Sequence, residues 1–119
     1  MKYLLLVYAA ESDYVPCERE ECFVESKRLT DELQAKGKYI SASPLRSVST
    51  ATSVRVRNGR RMVTDGPFAE TREQLGGYYL VDAKDLDDAI DIAGRIPAAK
   101  KGTVEVRPIE VVPGMSEYL

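Results

Sequence analysis

The chain has 119 residues, enough for one compact domain with one core, so residues 1–119 read as a single domain. Hydrophobic residues make up 44% and charged residues 30%, the balance of a soluble globular protein. Seventeen Lys and Arg against 19 Asp and Glu give a formal net charge of −2, which offers no basic footprint for nucleic acid; the absence of His excludes imidazole catalysis, His-dependent triads and His metal sites.

Lys2–Tyr8 is a short apolar run that reads as a first, buried strand. It falls short of the roughly 15–30 residues of a secretory signal, and Tyr8 would occupy the third position before a cut after Ala10. Nothing approaches the roughly 20 apolar residues of a membrane span. A loop over Ala10–Val15 leads to Pro16, which suits the first position of a helix running to about Lys36. Glu18, Glu20 and Glu21 fall where carboxylates favour the positive end of the helix dipole. Cys22, Ser26, Leu29 and Leu33 recur on one face, and Gly37 is the expected stop. Cys17 and Cys22 lie about 140° apart around such a helix, which suits neither a bridge nor a metal site. Two cysteines make no disulfide framework, and a cytoplasmic protein is expected.

Tyr39–Ser43 reads as a second strand, ended by Pro44. After a Ser/Thr-rich connection come Ser53–Arg57 and Arg60–Thr64, two alternating runs joined by Asn58-Gly59, the strongest short hairpin signal. Arg55, Arg57, Arg60 and Arg61 make this hairpin basic, so one of its faces is solvated or meets an anionic partner. A turn-rich loop over Thr64–Thr71 precedes a strand at Gly76–Asp82. Asp85 caps a second helix over Leu86–Arg95, whose expected buried stripe is Leu86, Ala89, Ile90 and Ala93. Pro97 ends it, and Gly102–Val112 reads as the last strand.

The order is that of a ferredoxin-like βαββαβ α+β fold with an inserted β-hairpin. Two helices cover only one face of a four-stranded sheet, yet the first strand is apolar on both: Tyr3, Leu5 and Val7 on one, Leu4, Leu6 and Tyr8 on the other. Tyr78 and Leu80 against Tyr79 and Val81 repeat the pattern. A second copy of the chain is the simplest cover for the remaining face, so a homodimer is expected.

The run Val63–Tyr79, which contains Asp65-Gly66-Pro67-Phe68, resembles the signature of the DGPF-domain branch of the YCII-related proteins. Arg95–Ala99 before Gly102, Val104–Ile109 and the opening Met1–Tyr8 agree with it, so the resemblance covers nearly the whole chain. It implies a dimeric α+β barrel, two ferredoxin-like sheets packed face to face. Some relatives in this family act on small aromatic or chlorinated compounds, with a His on the first helix and an Asp in an Asp-Pro-aromatic motif after the second. This chain has no His, and Ile96 precedes Pro97, so that dyad is not carried over. The resemblance also implies a setting beside extracytoplasmic-function sigma factors. Two functions are therefore expected: a small-molecule binding protein or enzyme, or a non-catalytic regulatory or interaction module in sigma-factor signalling. Neither implies a cofactor, a metal, nucleic acid or a membrane.

For the first function, Asp65 and Glu70 are the candidate catalytic residues, because without His proton transfer falls to carboxylates or Tyr. They flank a sharp Gly66-Pro67 corner that can fold both toward one spot. Arg107, Tyr78 and Phe68 are the candidate ligand-binding residues. Each has a structural alternative: Arg107 in an ion pair with Glu105, Asp65 or Glu70; Tyr78 in core packing beside Gly76-Gly77; Phe68 anchored in the core or a dimer seam.

Overall fold

The computed structural model describes residues 1–13 and 16–115, the side chains of 16–18 excepted. The expectations for Tyr14 and Val15 and for the Cys17 and Glu18 side chains lie outside the described residues. The elements are β1 (Lys2–Ala9), α1 (Pro16–Ala35), β2 (Tyr39–Pro44), β3 (Thr52–Arg57), β4 (Arg60–Asp65), β5 (Gln74–Asp82), α2 (Leu86–Gly94) and β6 (Thr103–Pro108). The main sheet has the order β2-β5-β1-β6, with every neighbouring pair antiparallel. This is an α+β architecture compatible with a ferredoxin-like fold. β3 and β4 pair with each other in a separate two-stranded sheet, joined by Asn58 at φ 51° and Gly59 at φ 74°. Two successive positive φ values define the type I′ turn that the Asn-Gly pair favours.

Local chemistry sets the boundaries. α1 ends where Gly37 turns left-handed at φ 70°. The Gly37 N–H then donates to the Gln34 carbonyl and the Lys38 N–H to the Leu33 carbonyl, satisfying two of the last four carbonyls of the helix. α2 starts at Asp85, whose carboxylate accepts the Asp88 N–H at 2.9 Å. β6 is shorter than the sequence suggests. Its pairing with β1 stops at Pro108 opposite Tyr3, and Val111 and Val112 beyond it are exposed. Pro108 brings no N–H to the ladder, so it sits at the strand end.

One face of the sheet carries the core. Tyr3, Leu5 and Val7 of β1 and Tyr79 and Val81 of β5 pack beneath Leu29 and Leu33 of α1. Leu5, Leu33, Ile96 and Val81 are the largest fully buried side chains, each contributing roughly 1.5–3 kcal/mol. α2 buries Ala89, Ile92 and Ala93, with Ile96 just beyond it, whereas Leu86 and Ile90 are about half exposed. That corrects the expected stripe. The helix is apolar on two adjacent flanks, and the sheet takes the one continuous with Ile96. Lys38 pairs with Asp88, and Arg95 with Glu32, so the two helices are tied together at two points.

No described helix lies over the opposite face. There Leu4 pairs with Leu80 and Leu6 with Tyr78, while Arg107 and Glu105 stand opposite Leu4 and Leu6 on the other side. The Tyr78 phenol is hydrogen-bonded to the Ser41 hydroxyl of the neighbouring strand at 2.7 Å.

Candidate functional site

α1 crosses the sheet with two unlike halves. Its second half points Leu29 and Leu33 inward, and they fill the space above β1 and β5. On its first half the corresponding inward positions are the smaller residues Cys22 and Ser26, which leave space above the sheet. Below them, Ala42 of β2 and Gly76-Gly77 of β5 add little bulk. Gly77 is needed for strand pairing too, since a Cβ there would lie 3.0 Å from the Ser43 carbonyl oxygen. The result is a cavity of about 370 Å³ between the first half of α1 and the sheet, with Ile96 and Ala98 also in its lining.

The walls are mostly apolar: Val7, Ala42, Leu45, Phe23 and Ile96 among others. Hydroxyl-bearing residues interrupt them, Ser26, Thr30, Tyr39 and Tyr79 among them. Burial pushes the Tyr79 phenol above its ordinary pKa, the Ser26 hydroxyl beside it acts in the opposite sense, and the Tyr39 phenol adds to the rise. Tyr79 therefore stays protonated at neutral pH, a hydrogen-bonding group rather than a base. Charged groups sit at the rim. Glu11 accepts hydrogen bonds from the Ser47 hydroxyl and the Val48 N–H, both at 2.8 Å, so its carboxylate fastens the loop after β2. Lys27 pairs with Asp31 at 3.0 Å, and the Arg19 guanidinium lies 5.9 Å from the centre of the Phe23 ring. Such a space suits a small, largely apolar molecule carrying one or two hydrogen-bonding groups. Among the described residues no group of three or more Cys, Asp and Glu is placed to hold a metal. No described helix is long and apolar enough to cross a membrane.

Of the five residues singled out in the sequence, Tyr78 borders this cavity, while its strand position turns its side chain to the open face beside Ser41. The other four lie outside its lining. Arg107 is exposed on the open face, 3.9 Å from Glu105, the ion pair that its strand spacing allows. Phe68 is 74% exposed, outside the core of its own chain, with the Arg55 guanidinium 4.7 Å from its ring centre. Asp65 ends β4 opposite Thr52, and Glu70 is exposed in the loop beyond. Neither carboxylate forms an ion pair among the described residues. The Asp65–Phe68 corner instead closes the base of the hairpin. Gly66 takes φ 102°, its N–H donates to the Ala51 carbonyl at 2.7 Å, and its carbonyl accepts the Ser53 hydroxyl. The sequence reading missed Cys22, Ser26, Tyr39 and Tyr79 as site residues. The available signal was the small size of two inward residues on a helix whose other inward residues are leucines.

A two-layer α+β protein with a small-molecule-sized cavity under the first half of its longer helix is the class these features define. The YCII-related domain matches residues 1–113, and the chain belongs to the YCII-related family. It is 38% identical over 117 residues to an uncharacterised protein of Rhizobium meliloti (strain 1021), with 92% of each chain covered.

Proposed function

We propose that this is a small-molecule binding protein working as a homodimeric α+β barrel, with its ligand held in the cavity beneath α1. The observation that carries the reading is the cavity itself. Its 370 Å³ falls in the range of about 300–1,000 Å³ usual for small-ligand sites, and apolar walls with a few hydroxyls match their usual chemistry. Binding is favoured over acid–base catalysis because the ionisable group with a perturbed pKa in the cavity is a phenol held neutral, not a carboxylate or imidazole.

The open face supports the dimer in this reading. Leu4, Leu6 and Tyr78, each partly exposed, stand with the buried Leu80 on the side away from both helices. A second sheet packed about 10 Å away would cover this side in each copy at once. Substituting Leu6→Arg places a charge on that face, and sedimentation should then find monomers where the wild type forms dimers. A monomeric wild type at micromolar concentration removes the barrel from this reading.

The ligand site is tested by thermal shift with a metabolite library. At least one compound should raise the wild-type midpoint by several degrees and leave Ser26→Leu unmoved, because the larger side chain occupies the cavity. No stabilising compound, or an equal shift in Ser26→Leu, would move the site elsewhere.

A further inference from the structure

The β3–β4 hairpin is incomplete by itself. A lone two-stranded hairpin is marginal in water. Val54 and Val63 stand directly opposite each other, with Val56 two residues along on the same face, and the three are 60%, 58% and 60% exposed. The other face is different, since Arg55 there lies over Phe68. The described residues have a radius of gyration of 16.0 Å, against about 13.5 Å for a compact domain of this length, as expected when one element stands off the body.

The hairpin also differs from the rest of the chain in charge. Residues 52–65 hold four arginines and one aspartate, a charge of +3, which leaves −5 on the remainder of a chain whose total is −2. None of the four arginines forms an ion pair among the described residues. Arg61 stands opposite Val56 and so borders the valine face.

A surface of complementary kind lies on α2. Leu86 and Ile90, one turn apart, are 51% and 49% exposed. Asp87 and Asp91 follow them around the helix, both exposed and neither in an ion pair among the described residues. An apolar pair bordered by two carboxylates on α2 thus matches three valines bordered by Arg61 toward the turn of the hairpin, with Asp65 on the same face at its base.

We propose that the β3–β4 hairpin is an arm that docks on α2 of a second copy of this chain, with its valine face on Leu86 and Ile90 and Arg61 against Asp87 and Asp91. Because both surfaces lie on the same chain, each copy can give and receive an arm, and a two-fold pair closes without leaving either surface bare. The contact is separate from the open sheet face and independent of the cavity.

A charge swap tests it by sedimentation equilibrium over a range of protein concentrations, with circular dichroism to confirm folding. Arg61→Glu and Asp91→Arg both change exposed residues. Each should weaken self-association by about tenfold, and the two together should restore it to within about threefold of the wild type. Added salt should weaken the wild-type association. Single variants that associate as tightly as the wild type, or a double variant weaker than either, would overturn the arm. If Leu6→Arg dissociates the protein while the arm variants do not, the sheet-face dimer stands and the arm falls. Val56→Asp supplies a second, uncharged-to-charged check, and undiminished association there also counts against the arm.

Discussion

Lys38, immediately after the left-handed turn that ends α1, holds both carboxylate oxygens of Asp88 in the first turn of α2, at 2.8 and 2.9 Å. Fifty residues separate them in the chain. The turn geometry at Gly37 aims the one, and the Asp85 cap aims the other. The Asp88 carboxyl is held below its ordinary pKa chiefly by the Lys38 ammonium, with the Lys84 N–H adding to the effect.

Replacement Lys38→Met should therefore lower stability by about 1 kcal/mol at neutral pH. Because the folded-state pKa of Asp88 is depressed, this stabilisation is present above the unfolded value near 3.8 and is lost as pH falls through the lower folded value. Urea titrations at pH 7 and in acid should show the gap between wild type and variant closing at low pH.

The Tyr79 phenol titrates in the opposite sense. Its folded-state pKa is raised by burial, so its contribution is fully present below the unfolded value near 10 and is lost as pH rises through the higher folded value. Ultraviolet titration of the folded protein should find a late-ionising tyrosine that disappears in Tyr79→Phe, and stability should fall less steeply above pH 10 in that variant.

Two glycines invite contrasting substitutions. A Cβ at Gly102 would lie 2.0 Å from the Tyr8 carbonyl oxygen, so Gly102→Ala must push β6 from β1 and should cost about 1–3 kcal/mol. Gly94, the last residue of α2, has open space around its Cβ position, so Gly94→Ala should stabilise by about 0.4–1 kcal/mol. Thermal midpoints moving in the same direction for both would contradict the packing described here.

Leu33→Ala should be among the most damaging single changes, at about 2–5 kcal/mol, because Leu33 is fully buried at the junction of α1 and the sheet. Chemical denaturation measures it directly. A loss below 1 kcal/mol would mean that the second half of α1 is not the seal of the core.

Much of this architecture was legible in the residues. Asn58-Gly59 specifies the hairpin, Gly37 the end of α1 and Asp85 the start of α2, because each depends on chemistry within a few residues of itself. The buried flank of α2 was not legible. Leu86 and Ile90 are as apolar as Ile92 and Ile96, and only the position of the sheet chooses between them. The cavity was harder still. Attention falls on charged and unusual residues such as Asp65, Glu70 and Arg107, whereas this space exists because Cys22 and Ser26 are small where Leu29 and Leu33 are large. A void depends on differences in side-chain volume across three elements, and no single motif records it.

The unequal halves of α1 separate two demands that usually compete. Leu29 and Leu33 anchor the helix to the sheet, so the residues at 22 and 26 are free of that duty. On the proposed reading, exchanging those two side chains would reshape what the cavity accepts while the far end of the same helix keeps the fold. Selectivity of such a binding site would then drift along one half-helix with little penalty in foldedness.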